Sequence, residues 1–229
     1  MKRFFSLILL LGAALVSSCG SDSNTSPMPV AKVPHAIQTL FTAEQAADIS
    51  SQLQQIRPDT VALTDFNKIK KTYAGFYPEV NFCYDGENDI PNIYAYEADG
   101  RKVVRVSGGL ARLEGLSYEG LFMAMAYGVG CFYGELKNRD GFAAIGAADY
   151  YAFSQILREI VPPGSYYSAF ALSSVEQWGN LFSKVSPGNA AGNPDDPLEN
   201  PSLSCRLAAI NSALMGNALP ECAVAPPSP

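Results

Sequence analysis

Residues 118–137 read YEGLFMAMAYGVGCFYGELK, and this stretch decides the fold. It follows Ser117, a residue type that favours the N-cap of a helix, and it is apolar over most of its length, which predicts a long buried helix over 118–137. Tyr127 and Cys131 are one helical turn apart and therefore share a face. Gly128 and Gly130 each disfavour a helix by about 1 kcal/mol relative to alanine, so we expect close packing to require them.

Short strands precede this helix and further helices surround it. Aromatic and β-branched runs predict strands over Val80–Tyr84, Asn92–Tyr96 and Lys102–Ser107, and the turn signals Asp85-Gly86 and Asp99-Gly100 predict a small antiparallel sheet. Helices are predicted after a capping box at Thr42, and over 63–73, 141–161, 167–185 and 203–215. A short helix opens at Gly108, and 186–201 is predicted to be a loop. The fold class is therefore α+β, mostly α.

The N-terminus has the pattern of a bacterial lipoprotein signal. A basic start is followed by an apolar run from Phe4 to Val16, too short to span a bilayer, and then by Ser-Ser-Cys19-Gly. This predicts a signal peptide over 1–18, lipidation of Cys19, a flexible tether over 19–36, a single domain over 37–224 and a disordered tail over 225–229. The expected location is the cell envelope, at the outer membrane and facing the periplasm. An ordinary signal peptide with a chance cysteine is the alternative.

The charge of the chain excludes one class of partner. The formal net charge is −6 in 229 residues. Nucleic-acid binding through phosphate neutralisation needs clustered Lys and Arg, so we expect no nucleic-acid partner. The anchored lipid would bind the membrane, and a peptide or envelope protein is the expected further partner.

The cysteines predict disulfides in an oxidising compartment. Lipidation of Cys19 would leave four of the five cysteines, which allow three pairings. Cys205 and Cys222 lie at either end of a short helical stretch and its return, so we expect them to pair, which would leave Cys83 with Cys131. Buried free thiols are the alternative for either pair.

Three segments together, one of them within the helix described above, carry a family resemblance. They are PNIYAY at 91–96 with RKVVRVSGGL at 101–110, AYGVGCF at 126–132 and AADYYA at 147–152. In order and spacing they resemble the strand, the metal-binding helix and the Glu-x-x-Ala-Asp helix of the HtpX-like and BepA-like zinc metallopeptidases, a gluzincin family. The resemblance covers residues about 80–155, and it implies a zincin-like fold in which the sheet packs on the former active-site helices.

The same resemblance implies that the active site is degenerate. Tyr127 and Cys131 stand where the family has its two histidine ligands, and Gly128 stands where it has the glutamate that activates water. Ile145 replaces the third ligand, and Asp149 alone matches the family, where it orients a ligand histidine. We therefore expect no catalytic residue, no metal and no cofactor.

Two weaker metal-site hypotheses remain. One joins Cys131 and Asp149 with a carboxylate from elsewhere in the chain, although we expect Asp149 to be a structural residue bonded to Tyr127 or to backbone. The other is a calcium loop at Asp85, Glu87 and Asp89, against which a solvated acidic turn is the preferred interpretation. The single histidine, His35, is expected to be solvated or packed.

The predicted function is binding rather than catalysis. The strand at Lys102–Ser107 is expected to lie at the edge of the sheet and to accept an extended peptide by strand addition. One alternative is an enzyme or redox protein that uses Cys131, which requires a free and partly exposed thiol. The other is a purely structural envelope lipoprotein.

Overall fold

A computed structural model of the chain describes residues 36–224. The predicted signal peptide, Cys19, most of the tether, His35 and the tail over 225–229 lie outside the described residues. The predicted lipidation therefore stays a prediction.

Within residues 36–224 the sheet has four strands in the order β1-β3-β4-β2: β1 (Ile37–Thr39), β2 (Val80–Asp85), β3 (Ile93–Ala98) and β4 (Arg101–Ser107). β1 pairs antiparallel with β3, and β3 pairs antiparallel with β4 through the turn at Asp99-Gly100. β2 pairs parallel with β4. The prediction of an antiparallel sheet is therefore wrong in part, because the sheet is mixed. After β2 the chain crosses to the far side of the position that β4 later fills, forms β3 there, and then turns back as β4 between β3 and β2.

This order also corrects the predicted edge strand. β4 is hydrogen-bonded to β3 on one side and to β2 on the other, so Lys102–Ser107 lies inside the sheet. Among the described strands, the edges are β1 and β2. A peptide cannot add to β4.

The helices in the described part of the chain are α1 (Ala43–Gln52), α2 (Asp59–Phe76), α3 (Gly108–Ala111), α4 (Tyr118–Tyr133), α5 (Ile145–Tyr151), α6 (Leu157–Ile160), α7 (Ser165–Phe182), α8 (Pro187–Ala190) and α9 (Leu203–Met215). A π-helical segment, Ala152–Ile156, joins α5 to α6, and a 3₁₀ turn follows at Glu221–Ala223. The predicted capping box at Thr42 is confirmed, with both reciprocal hydrogen bonds to Gln45.

Helix ends differ from the predictions where glycine or packing intervenes. α4 ends at Tyr133, with Gly134 as its C-cap, and does not reach 137. A β-carbon at Gly134 would lie 2.7 Å from Cβ of Ala143, so this helix end has room only for glycine. The predicted helix over 141–161 begins only at Ile145. The predicted loop over 186–201 contains the single turn α8, with Pro187 at its first position.

α4 lies at the centre of the molecule. One side of it packs on the inner face of β3 and β4, and α5, α7 and the π-helical segment pack on its other sides. α9 packs on α5. All residues from Gly120 to Cys131 are buried, so the apolar stretch that predicted the helix is its core. Of the helices within residues 36–224, none is both long and apolar enough to cross a membrane.

Candidate functional site

The face of α4 that carries Tyr127 is fully buried. Tyr127 is 0% exposed, its ring packs edge-on against Trp178 of α7, and its hydroxyl donates to the carbonyl oxygen of Thr39 at 2.7 Å. Burial raises the pKa of Tyr127 well above its ordinary value. The hydroxyl is therefore a neutral donor that holds β1 against α4.

Glycines on α4 allow close approach on two sides. A β-carbon at Gly128 would lie 2.6 Å from Cγ1 of Val104 on β4, and one at Gly130 would lie 2.5 Å from the carbonyl oxygen of Ala148 on α5. The expectation that close packing requires both glycines is confirmed. Because the sheet contacts the helix directly at Gly128, this position has no room for a catalytic carboxylate.

Asp149 of α5 forms an ion pair with Arg206 of α9. Nε and Nη2 of Arg206 donate to the two carboxylate oxygens at 2.7 and 2.9 Å, and the two side chains are 0% and 2% exposed. Asp149 is therefore a buried structural residue, as predicted. Its partner was predicted wrongly: it is Arg206, whereas the Tyr127 hydroxyl binds Thr39.

The guanidinium of Arg206 occupies the space between α4, α5 and β1. Its Cζ lies 5.2 Å from the ring centre of Tyr127 and 5.1 Å from that of Phe182, and Nη1 donates to the carbonyl oxygen of Leu40. Burial raises the pKa of Asp149, whereas the adjacent Arg206 lowers it. Two parallel charge-assisted hydrogen bonds favour the ionised pair, so a fixed organic cation lies beside the Tyr127 and Asp149 side chains.

Cys131 is a free thiol, so the predicted Cys83–Cys131 disulfide is wrong. Cys131 lies in the main core, whereas Cys83 of β2 lies in a separate cluster with Tyr94, Tyr96 and Val103. These three residues and Cys83 project from the face of the sheet opposite α4, because the register alternates along each strand. The sheet therefore separates the two sulfur atoms.

The environment of Cys131 opposes nucleophilic chemistry. Its side chain is 0% exposed, and burial raises the pKa of the thiol far above its ordinary value. The thiol is free, as the enzyme hypothesis requires. It is neutral and inaccessible, which that hypothesis does not allow.

Ile145 begins α5 and is half-buried. It lines a cavity of about 60 Å³ together with Arg206, Gln45 and Glu199. An isoleucine supplies no ligand atom, and both oxygens of Asp149 already accept from Arg206. The donor set therefore does not fit a metal at Cys131 and Asp149. Within residues 36–224, no group of three His, Cys, Asp or Glu side chains could hold a metal ion.

Arginines pair with two of the three predicted carboxylates at the end of β2 and in the turn that follows it. Asp85 is 8% exposed and forms an ion pair with Arg105, and Asp89 accepts from Nη2 of Arg112 at 2.7 Å. Only Glu87 of the three predicted carboxylates is exposed without such a pair among the described contacts. A solvated turn is thus the wrong description for Asp85, and the arginines leave no calcium loop.

The Cys205–Cys222 disulfide is confirmed, with its Cα atoms 5.9 Å apart. It ties the first turn of α9 to the 3₁₀ turn. The two cysteines also line a larger cavity of about 880 Å³, whose other walls include Pro194, Pro201 and Leu219.

Comparisons with protein-family models, with curated proteins and with solved structures give no match to this chain. The resemblance of residues 80–155 to the zinc metallopeptidases therefore rests on the residues quoted above.

Several residues of this site were not predicted. Arg206 is the only charged residue in α9, LSCRLAAINSALM, and a lone arginine in an apolar helix is a signal that it has a buried partner. Asn92 belongs to the PNIYAY motif, which gives no sign that its side chain binds the backbone of Leu40 and Phe41. β1 has three residues and gives no periodic signal.

Proposed function

We propose that the chain is a lipid-anchored cell-envelope protein whose folded domain is a metallopeptidase-like domain without peptidase activity, and that this domain binds a peptide or a protein. The observation that carries the proposal is the buried Asp149–Arg206 pair beside Tyr127. By the resemblance, Asp149 and Tyr127 are positions at the metal centre of the active enzymes.

The charges of the site support a non-catalytic role. A buried carboxylate needs a cation or hydrogen-bond donors, and Arg206 supplies both without a metal. The position of the water-activating glutamate is Gly128, which packs on Val104. Peptide hydrolysis by this family needs a metal, a general base and an accessible carbonyl group of the substrate. The side chains at these positions supply neither a set of metal ligands nor a general base.

Metal analysis and a protease assay test this proposal together. We expect the purified domain to contain zinc far below one ion per chain by inductively coupled plasma analysis, and to leave casein intact. Stoichiometric zinc together with casein cleavage would overturn the proposal. An Arg206→Met variant, measured only where circular dichroism shows it folded, tests whether removal of the guanidinium lets a metal bind.

Cross-linking separates the binding function from a purely structural role. A photoreactive group placed on the exposed surface should capture a defined envelope component from intact cells if the domain binds a partner. A purely structural lipoprotein would give no defined adduct from any surface position. The anchor is tested separately: labelled palmitate should enter the wild type and should not enter Cys19→Ala.

A further inference from the structure

The segment from Ile37 to Phe41 is held through its backbone as well as through its side chains. β1 continues the sheet in register with β3, with Gln38 opposite Ala95, and the amide of Leu40 extends the ladder to the carbonyl oxygen of Ile93 at 3.1 Å. An extended peptide added to the edge of a sheet makes this same pattern of contacts.

Three side chains from other elements bind the same short backbone. Tyr127 of α4 donates to the carbonyl oxygen of Thr39, and Arg206 of α9 donates to that of Leu40. Asn92, which precedes β3, accepts from the amides of Leu40 and Phe41 and donates to the carbonyl oxygen of Phe41 at 2.9 Å. Three consecutive carbonyl groups are thus each bound by a separate side chain.

The side chains of the segment fill pockets of the domain. Leu40 and Phe41 are 1% and 2% exposed, and the Phe41 ring packs edge-on against Phe182 at 6.0 Å. The side-chain amide of Gln38 donates to the carbonyl oxygen of Ala143 and accepts from the side chain of Asn138. Backbone recognition with pockets for a few side chains is how sheets bind extended peptides.

We propose that the edge of β3, together with Asn92, Tyr127 and Arg206, is a binding site for an extended peptide, and that residues 37–41 of the chain are its resident occupant. The ligand class is a peptide of about five residues that carries two adjacent large apolar side chains, at the positions of Leu40 and Phe41. The inference rests on the proposed binding function, and it names the place on the domain and the chemistry of the ligand.

A peptide copy of the resident segment is the direct probe. We would measure fluorescence anisotropy of a labelled peptide with the sequence of residues 36–42, AIQTLFT, on the full chain and on Phe41→Ala. Because this substitution weakens the resident strand, we expect it to tighten binding of the added peptide at least tenfold. Gln38→Ala, which removes only the side-chain bonds of Gln38, serves as a second loosened variant if Phe41→Ala does not fold.

Two controls test the location of the binding. A peptide with proline at the Leu40 position lacks the amide that pairs with Ile93 and Asn92, so it should not bind. A Gln38→Cys/Ala95→Cys chain should join the two opposite positions by a disulfide. It should bind no peptide when oxidised and regain binding when reduced.

The outcomes separate this inference from the proposed function. If a loosened variant is folded by circular dichroism and still does not bind the peptide, the inference is overturned. It is also overturned if the proline peptide binds as tightly as the peptide AIQTLFT. If the oxidised, locked chain still captures the same envelope component as the wild type, the proposed function stands and the site at β3 is wrong.

Discussion

The Asp149–Arg206 pair places two charges in the core, where each loses its hydration. Desolvation of an ion pair offsets much of the attraction between its charges, so such a pair contributes little net stability while both partners are present. Removing one partner is different, because it leaves an uncompensated charge in a dry site. Arg206 also satisfies the carbonyl oxygen of Leu40. The pair therefore specifies one packing arrangement of α5, α9 and β1 and adds little net stability to it.

A substitution series on this pair tests that interpretation. Arg206→Met should lower the free energy of unfolding by about 3–5 kcal/mol, because it leaves the Asp149 carboxylate buried without a cation. Asp149→Leu combined with Arg206→Met should be less destabilising than Arg206→Met alone. Urea denaturation measures both values.

Arg139→Met provides the matched control. Arg139 also pairs with carboxylates, but its side chain is 78% exposed. Its loss should change the free energy of unfolding by less than about 1 kcal/mol. Similar losses at Arg139 and Arg206 would contradict the importance of burial.

The Cys131 thiol should be unreactive in the folded chain. Its complete burial and raised pKa keep it protonated and out of reach of alkylating reagents. Iodoacetamide should therefore modify the peptide that contains Cys131 only after denaturation, as read by mass spectrometry. Rapid modification of this peptide in the native protein would restore the hypothesis of a Cys131-dependent enzyme.

At the scale of elements, the position of α4 depends on two glycines, whose lack of a side chain lets neighbouring elements pack closely against the helix. Gly128 lets β4 approach the helix at the point where Val104 projects, and Gly130 lets α5 approach at Ala148. Helix propensity alone favours alanine at both positions. The packing therefore requires glycine where helix propensity favours alanine. Substitution by alanine distinguishes the two effects.

Gly128→Ala should destabilise the protein by about 1–3 kcal/mol, because the added methyl group overpacks the contact with Val104. The control is Gly179→Ala in α7, where a β-carbon would have no neighbour within 4 Å. That variant should gain about 0.5–1 kcal/mol from helix propensity. Thermal unfolding compares the two, and a gain in both would show that the helix–sheet contact is loose.

α1 and α8 are joined by Asp48, which accepts from the amide and hydroxyl of Ser186 and from Asn189. These hydrogen bonds, the Ser186 hydroxyl first, lower the pKa of Asp48. A lowered pKa means that the stabilisation is present above the ordinary value and is lost as the pH falls through the lowered one. Asp48→Asn should therefore lower the urea midpoint at about pH 7, and the difference from wild type should shrink near pH 3.

At the scale of the whole molecule, features set by residues close in sequence were predictable, whereas features set by residues far apart in sequence were not. The capping box at Thr42, the strand segments and the core of α4 follow from residues that are close in sequence, so they were predictable. The parallel pairing of β2 with β4 was not, because the turn after Asp85 is compatible with a hairpin and strand order is a tertiary property. The partner of Asp149 lies 57 residues away, on a helix whose pattern does not point to α5.

The Cys205–Cys222 disulfide should stabilise the whole chain by constraining the unfolded state. The two cysteines are separated by 17 positions, and closing a loop of this length contributes about 3 kcal/mol. Cys205→Ala/Cys222→Ala should lower the free energy of unfolding by that amount. A reductant should affect the wild type more than this double variant, and equal sensitivity of the two would show that another bond is responsible.

The bond from Arg206 to Leu40 spans 166 residues, and this separation has a consequence for the order of folding. During synthesis the first strand emerges long before the helix that completes its hydrogen bonding. Contacts of such high sequence separation form late and slowly, because the loop between them must first be closed. Until α9 has been made, Leu40 therefore lacks the hydrogen bond from Arg206, whereas Asn92 and Tyr127 are already present to bind the segment. During synthesis the resident strand is thus held by fewer hydrogen bonds than in the finished chain, so another peptide would compete with it most easily in this interval.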